Sequence, residues 1–290
     1  MALTDGQLER RRHGLGGSDV SAILGVNPYT TPLDVWADKT GKVPIRSVSN
    51  EAMLWGSVLE PVIASEYARR TGVELDSVPE ELTPLVHESR PWHMGTPDYL
   101  IKDRDIGLEI KTAGWRTGAQ WGDSGTDDIP AMYHIQCDWY AALMGYELWE
   151  VAALIGGQDF RTYTIERSER LESMMLERAE RFWYDHVQAD VPPEPIRESD
   201  KQAVARLFAP PPEKHYSMAS ASQVKLARER LAIDKELKAV KKRRDIVDAK
   251  LGIEMQLTPG IQFDDGKVRW VHAKGKTPSL RFYPTDKGTT

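Results

Sequence analysis

Cysteine is almost missing from this sequence. A single residue, Cys137, excludes an internal disulfide framework and any multi-cysteine zinc or iron–sulfur site. It is expected to be a small buried side chain. Long apolar runs are missing too: no stretch approaches the ~20 residues needed to cross a bilayer. The opening MALTDGQLERRRHG lacks the apolar segment of a secretory signal. The expectation is therefore a cytoplasmic protein with no membrane association. Repeats and low-complexity tracts are lacking. The 7 histidines show no metal-ligand spacing, which argues against a histidine–aspartate phosphatase site; only His134, close to Gln136, stands out. A surplus of positive charge is also absent, with 38 Lys and Arg against 44 Asp and Glu and a net charge of −6 at pH 7. That counts mildly against a polyanion partner, although the clustering of cations matters more than their sum.

The 290 residues accommodate one large α/β domain with an appendage, or two modest domains. Ser18 reads as the N-cap of a short helix ending at Gly25. Pro32 opens a second helix that stops at Gly41. A longer helix is predicted over residues 49–71, with a kink or restart where Pro61 follows Glu60. Strands follow at 73–78 and 84–88, and then a pair at 92–101 and 107–112 joined by the polar turn 102–105. A helix over 130–145, strands at 149–155 and 160–165, and a helix over 168–188 complete the core. This order predicts an α/β fold with a mixed central sheet flanked by helices. Proline-rich segments at 191–195 and 210–212 read as stiff. They divide the chain into a core at 1–190, a linker region at 191–213, and a C-terminal arm at 214–290. The arm is a long charged helix, about 220–251, ending in short strands at 260–263, 267–272 and 279–283.

Chemistry concentrates around Gly107-Leu108-Glu109-Ile110-Lys111-Thr112. Alternation along a strand sends Leu108 and Ile110 into a core and places Glu109 and Lys111 on the opposite face, roughly 6–7 Å apart. A hairpin across the 102–106 turn brings Asp98 toward them, with the register open by a residue or two. Two carboxylates about 4 Å apart repel by roughly 4 kcal/mol at an effective dielectric near ~20. A lysine relieves part of this and a divalent cation more. Oxygen ligands alone suit Mg²⁺, with Mn²⁺ as a substitute. Such an ion activates water and neutralises charge developing on a phosphoryl group. Asp98 and Glu109 are thus candidate ligands, and Lys111 a candidate for orienting water or stabilising the transition state.

Pro97-Asp98, ten intervening residues and Glu109-Ile110-Lys111 resemble the PD-(D/E)xK nuclease signature. Three further stretches make the resemblance specific. Gly14-Leu15-Gly16-Gly17-Ser18-Asp19, with Ala22-Ile23-Leu24-Gly25 and Asn27-Pro28-Tyr29, resembles the N-terminal motif of the YqaJ-type viral recombinase family, relatives of the lambda-phage exonuclease. Gly56-Ser57-Val58-Leu59-Glu60-Pro61 resembles that family's acidic helical motif. Ile129-Pro130, Tyr133, Gln136, Tyr140 and Gly145 resemble its glutamine-bearing helix. Order and spacing agree over roughly residues 10–190.

The resemblance implies a restriction-endonuclease-like core and a processive 5′-to-3′ exonuclease acting on the ends of linear double-stranded DNA. It also implies a single-strand annealing partner for phage-type recombination and a trimeric ring. By the same carry-over Asp98, Glu109, the Ile110 carbonyl and Glu60 bind metal, Lys111 serves the water, and Gln136 lies beside the nucleophile or scissile phosphate. Arg12 and Ser18 occupy positions that handle a terminal 5′-phosphate, with Arg11 and His13 equally near. Trp115 and Trp121 are candidates for stacking on a frayed base. Two rival readings stay open: another PD-(D/E)xK nuclease of repair or restriction type, and an inactive DNA-end-binding assembly protein. The arm is open to three roles: a coiled-coil strand, a DNA contact through the basic run 241–244, or a docking site for the annealing partner.

Overall fold

The computed structural model describes residues 5–44, 50–209, 216–272, 274–275 and 277–285. The expected helix start at Ser49 and the prolines at 210–212 lie outside them. The chain divides into two compact units, Met1–Pro211 and Pro212–Thr290. Among the described residues no helix is long and apolar enough to cross a membrane.

The first unit runs α1 (Asp5–Arg10), α2 (Gly17–Ile23), α3 (Pro32–Lys39), α4 (Glu51–Thr71), β1 (Leu75–Asp76), β2 (Leu85–His87), β3 (Arg90–Gly95), β4 (Tyr99–Ile101), β5 (Ile106–Ala113), α5 (Ala131–Met144), β6 (Leu148–Ile155), β7 (Asp159–Glu166), α6 (Glu169–Phe182) and α7 (Asp200–Phe208). Five strands form the central sheet in the order β1-β4-β5-β6-β7. Only β5 and β6 run parallel, because the crossover helix α5 lies between them in sequence. This is the mixed, helix-flanked, restriction-endonuclease-like core expected from the sequence.

The sheet has apolar layers on both faces. Leu108, Ile110 and Ala152 pack against Ile63, Ala64 and Tyr67 of α4. The other face, with Trp149, Val151 and Ala153, meets Ile135 and Trp139 of α5 and Met175 and Ala179 of α6. Local signals explain the helix ends. Thr31 caps α3 by accepting the Asp34 N–H, and Asn50 caps α4. Gly72 and Gly145, both at positive φ, close α4 and α5.

Four expectations are corrected. Residues 92–101 are not one strand: β3 pairs with β2 in a separate two-stranded sheet, and only β4 pairs with β5. Pro97 interrupts the ladder because it has no N–H to give. Helix α4 continues through Pro61, so it does not restart there. Ser18 is not an N-cap. Gly16 holds that place, and the Asp19 carboxylate accepts its N–H at 2.8 Å. The supposed linker is partly folded: α7 sets Phe208 against Trp36, with ring centroids 6.1 Å apart. The buried Asp200 carboxylate accepts the N–H groups of Ile196 and Arg197. Arg197 in turn donates to the carbonyls of Gly25 and Asn27.

The second unit is α8 (Ala221–Met255) followed by an antiparallel sheet of β8 (Gly260–Phe263), β9 (Gly266–Val271) and β10 (Ser279–Pro284), in the order β10-β9-β8. Met255 and Val268 form its buried centre.

Gly107 pairs with Trp149, whose ring is fully buried. A Cβ on Gly107 would fall 2.2 Å from that ring. Gly107→Ala is therefore expected to destabilise the first unit by about 1–3 kcal/mol, the usual cost of overpacking. Urea unfolding of the variant at parent stability would show that β5 and β6 can shift to accommodate it.

Candidate active site

Strand β5 alternates as its sequence requires, and both faces are largely covered. Leu108 and Ile110 face α4, while Glu109 and Lys111 lie beneath α5. Glu109 is 2% exposed and the Lys111 side chain 17%. The charged face is roofed by α5. Lys111 Nζ donates to Glu109 Oε1 at 2.5 Å and lies 4.8 Å from the centre of the Tyr133 ring.

Asp98 stands one residue beyond the Tyr99–Leu108 pair, which puts it opposite Glu109. Its Oδ2 accepts the Ile110 N–H at 2.7 Å, so a side chain takes over where the ladder stops at Pro97. On α5, Gln136 Nε2 donates to Glu109 Oε1 at 2.8 Å and to the Tyr140 hydroxyl at 3.1 Å. Gln136 is held there by α2: a Cβ on Gly17 would lie 2.7 Å from Gln136 Cγ, so only glycine lets the helices approach this closely. Glu60 comes from α4 and is near enough to act electrostatically on both Asp98 and Glu109.

The proton affinities follow from burial and like charge. Burial, then the Glu109 carboxylate, raises the Asp98 pKa well above the usual range, against the pull of Lys111 and the Ile110 N–H. Burial also raises Glu109, opposed by Lys111. Burial works against the Lys111 charge, but Glu109 and Asp98 outweigh it and raise the lysine pKa, so Lys111 stays cationic.

These features fit a hard divalent cation. Two carboxylates lie close together with their acidity suppressed, and Glu109 Oε2 is buried with no hydrogen-bond partner. Among the described residues no three His, Cys, Asp or Glu side chains converge into a ready cage. Asp98, Glu109 and Glu60 therefore need a backbone carbonyl, such as that of Ile110, or water to complete a coordination shell.

The segment before α2 also reaches this site. Leu15 bridges to His93 of β3, donating its N–H to the Trp92 carbonyl at 2.7 Å and accepting from Met94 N at 3.0 Å. Asp19 is fixed by Lys39 Nζ at 2.8 Å, and that ammonium also donates to the Arg11 carbonyl at 2.8 Å. Burial alone would raise the Asp19 pKa, but Lys39 and Arg11 hold it below the usual value. Ser18 is exposed on the second residue of α2. Arg12 is engaged elsewhere, donating to Asp38 at 3.4 Å and to the Val43 carbonyl at 2.6 Å. The guanidinium acting on both Asp19 and Tyr140 belongs to Arg11.

The other candidates separate. Trp121 is core, 5.5 Å from the rings of Tyr133 and Tyr163, whereas Trp115 is 76% exposed. Cys137 is buried, and burial raises its thiol pKa. Sequence reasoning gave Tyr133 and Tyr140 no role of their own. Their positions three before and four after Gln136, on one helix face, carried that signal.

The chain is similar to several known proteins. Residues 8–147 match the family model of the YqaJ-like viral recombinase domain. The uncharacterized protein YqaJ of Bacillus subtilis (strain 168) is 36% identical over 185 residues, which make up 63% of this chain and 56% of that protein. The chain thus spans little more than half the length of that relative. The alkaline exonuclease LHK-Exo of Laribacter hongkongensis has a similar fold, with a TM-score of 0.51 at 17% identity over 70% of this chain and 100% of that one. Its complex with dAMP gives a TM-score of 0.51 at 18% identity, again over 70% of this chain and 100% of that one.

His134 serves the frame of α5. Its Nδ1 is 2.8 Å from Asp138 Oδ2, and the other oxygen of that buried carboxylate accepts the Ser168 N–H at 3.2 Å. The hydrogen bond to Asp138 raises the His134 pKa above the ordinary 6.5. Because the folded state binds the proton more tightly, the pair's contribution is complete below pH 6.5 and is lost as pH rises through the folded-state pKa. His134→Ala is expected to lower the melting temperature markedly at about pH 5.5 and much less at about pH 9. Equal losses at both pH values in thermal melts would remove the charged pair from the account.

Proposed function

We propose that this chain is a member of the YqaJ-like viral recombinase family and a divalent-metal-dependent deoxyribonuclease that digests linear duplex DNA from its ends. The observation that carries this reading is the meeting of Asp98, Glu109 and Lys111 under α5, with Gln136 bonded to Glu109. A cation of the Mg²⁺ or Mn²⁺ class, held by Asp98, Glu109, Glu60 and the Ile110 carbonyl, would supply the Lewis acidity and charge neutralisation that phosphodiester hydrolysis needs.

The chain's own residues do the rest. Lys111 keeps its proton and is a donor fixed in a water-poor site, where a charged hydrogen bond counts most. It orients the attacking water and stabilises negative charge building on the phosphoryl oxygens. Gln136 holds Glu109 Oε1 in place, and Tyr140 holds Gln136. Asp98 is locked to the β5 backbone, so the carboxylates cannot swing apart to relieve their repulsion. In the reaction, the water gives up a proton to solvent and a P–O bond to its oxygen forms as one P–O bond of the diester breaks, and the departing oxygen takes up a proton from solvent.

A 5′-phosphorylated end is the expected substrate terminus. Arg11 and the exposed Ser18 are the groups placed to meet it, in preference to Arg12, whose donors go to Asp38 and Val43. The 5′-to-3′ polarity, the trimeric ring and an annealing partner belong to the same reading through the family resemblance.

Duplex DNA labelled on one strand, with a 5′-phosphate or 5′-hydroxyl end, tests it. Loss of the 5′-ended strand in Mg²⁺, faster from the phosphorylated end and abolished by EDTA, is expected. Tight end binding without turnover in Mg²⁺ or Mn²⁺ would mark an assembly protein instead.

Asp98→Asn and Glu109→Gln should abolish cleavage while end binding in EDTA persists. Near-normal turnover by either variant would displace the site. Lys111→Ala should lose about 10²-fold or more in single-turnover rate, the scale for removing one transition-state donor. An unchanged rate would exclude Lys111 from the chemistry.

A further inference from the structure

The two units carry opposite charge. The first has 21 Lys and Arg against 34 Asp and Glu, and the second has 17 against 10. A surplus of 13 negative charges repels a polyanion everywhere except at its local cations. Much of the affinity for a DNA backbone comes from cations that displace counterions. A chain acting on DNA therefore needs a basic surface, and the second unit has one.

It lies on one face of the small C-terminal sheet. Register places Arg269 of β9 directly opposite Arg281 of β10, and Lys267 opposite both Tyr283 and Gln262 of β8. Strand alternation puts all five side chains on the same face. The opposite face carries Ile261, Val268, Trp270 and Leu280, with Trp270 meeting Gly252 of α8. Lys267, Arg269 and Arg281 are exposed. The Arg269 guanidinium lies 5.0 Å from the centre of the Tyr283 ring and donates to its hydroxyl at 3.2 Å. These contacts with Arg269, and the charge of Arg281 beside it, lower the tyrosine pKa. Among the described residues no carboxylate forms an ion pair with Lys267, Arg269 or Arg281. The strand positions of this face hold no acidic residue. Like charges directly across a ladder destabilise a sheet. Cations with no carboxylate partner among the described residues, two of them directly opposed across a ladder, therefore carry a repulsion that a bound polyanion would relieve. Lys241, Lys242 and Arg243 add an exposed basic run on α8.

We propose that the Lys267–Arg269–Arg281–Tyr283 face binds the phosphate backbone of DNA outside the catalytic site. The choice of DNA among polyanions rests on the nuclease reading above; the cationic face itself does not. The three cations contact phosphates, and Tyr283 orders Arg269 between them. Such a contact is independent of base sequence and sensitive to salt.

The test uses the full chain in EDTA, so that no DNA is consumed, with a short blunt fluorescein-labelled duplex as probe. Anisotropy titrations across about 50–200 mM salt compare the parent, Lys267→Gln/Arg269→Gln/Arg281→Gln, and the charge-conserving Arg269→Lys/Arg281→Lys. The triple variant is expected to lose at least about tenfold in affinity and to lower the salt slope by about 2–3, near 0.9 per phosphate contact removed. The lysine variant should keep the parent slope. Without DNA, the triple variant should melt at a higher temperature than the parent, because the cross-strand repulsion is gone. A folded triple variant with parent affinity and slope overturns the proposal. So does unchanged DNA binding combined with a lower assembly mass in sedimentation velocity, which would assign the face to a protein contact. The nuclease reading fails separately: salt-dependent binding lost in the triple variant, with no Mg²⁺-dependent cleavage by the parent, would uphold this face and reject that reading.

Discussion

The charged face of β5 lies beneath α5, and most of the first unit is arranged around that burial. Buried Glu109 and half-buried Asp98 stand side by side where water screens them poorly, and at short range the repulsion between two carboxylates is strong. Three devices hold the pair in place. Lys111 pairs with Glu109 Oε1, the Ile110 N–H locks Asp98 to the strand, and Gln136 donates to that same oxygen of Glu109. What they leave is one buried carboxylate oxygen with no partner and two groups with raised proton affinity. A site that is costly without a cation is one that a cation can stabilise, which links local instability to the proposed chemistry.

The same constraint reaches outward through backbone packing. Gln136 is in position because α2 abuts α5 at Gly17, where no side chain intervenes. Helix α2 is anchored by the Asp19 carboxylate on Gly16 N, and Asp19 by the buried Lys39 of α3. Lys39 also grips the Arg11 carbonyl, so the ammonium that fixes the helix also fixes the segment bearing Arg11. Segments distant in sequence thus share one set of hydrogen bonds. A change at Lys39 or Gly17 would reach Glu109 through Gln136 without touching it.

Charge divides the chain as clearly as its fold does. The acidic unit gathers anions around a site suited to a cation. The basic unit exposes cations, including an arginine pair directly opposed across two strands. If both units meet the same polyanion, one supplies chemistry and the other affinity, and each can be altered without the other. Net charge alone, slightly acidic, concealed this division.

Much was legible in one dimension. The alternation of Leu108-Glu109-Ile110-Lys111, the Pro97-Asp98 spacing, the caps at Thr31, Gly72 and Gly145, and the mixed-sheet order are all local patterns, and local sterics and hydrogen bonding enforce them. The sequence could not show that Glu109 is buried, because that depends on α5 crossing over β5 from more than twenty residues downstream. Nor could it separate Arg11 from Arg12, since neighbouring side chains in a turn diverge and only the positions of Asp38 and Val43 claim one of them. Ser18 looked like a cap because serine is a good one, but the Asp19 carboxylate takes up the Gly16 N–H and leaves the serine exposed. The sequence by itself determined which residues carry charge and on which strand face they stand. Tertiary structure alone decided which of those charges are stripped of water and which partners hold them, because desolvation and long-range hydrogen bonds depend on what the fold lays over them.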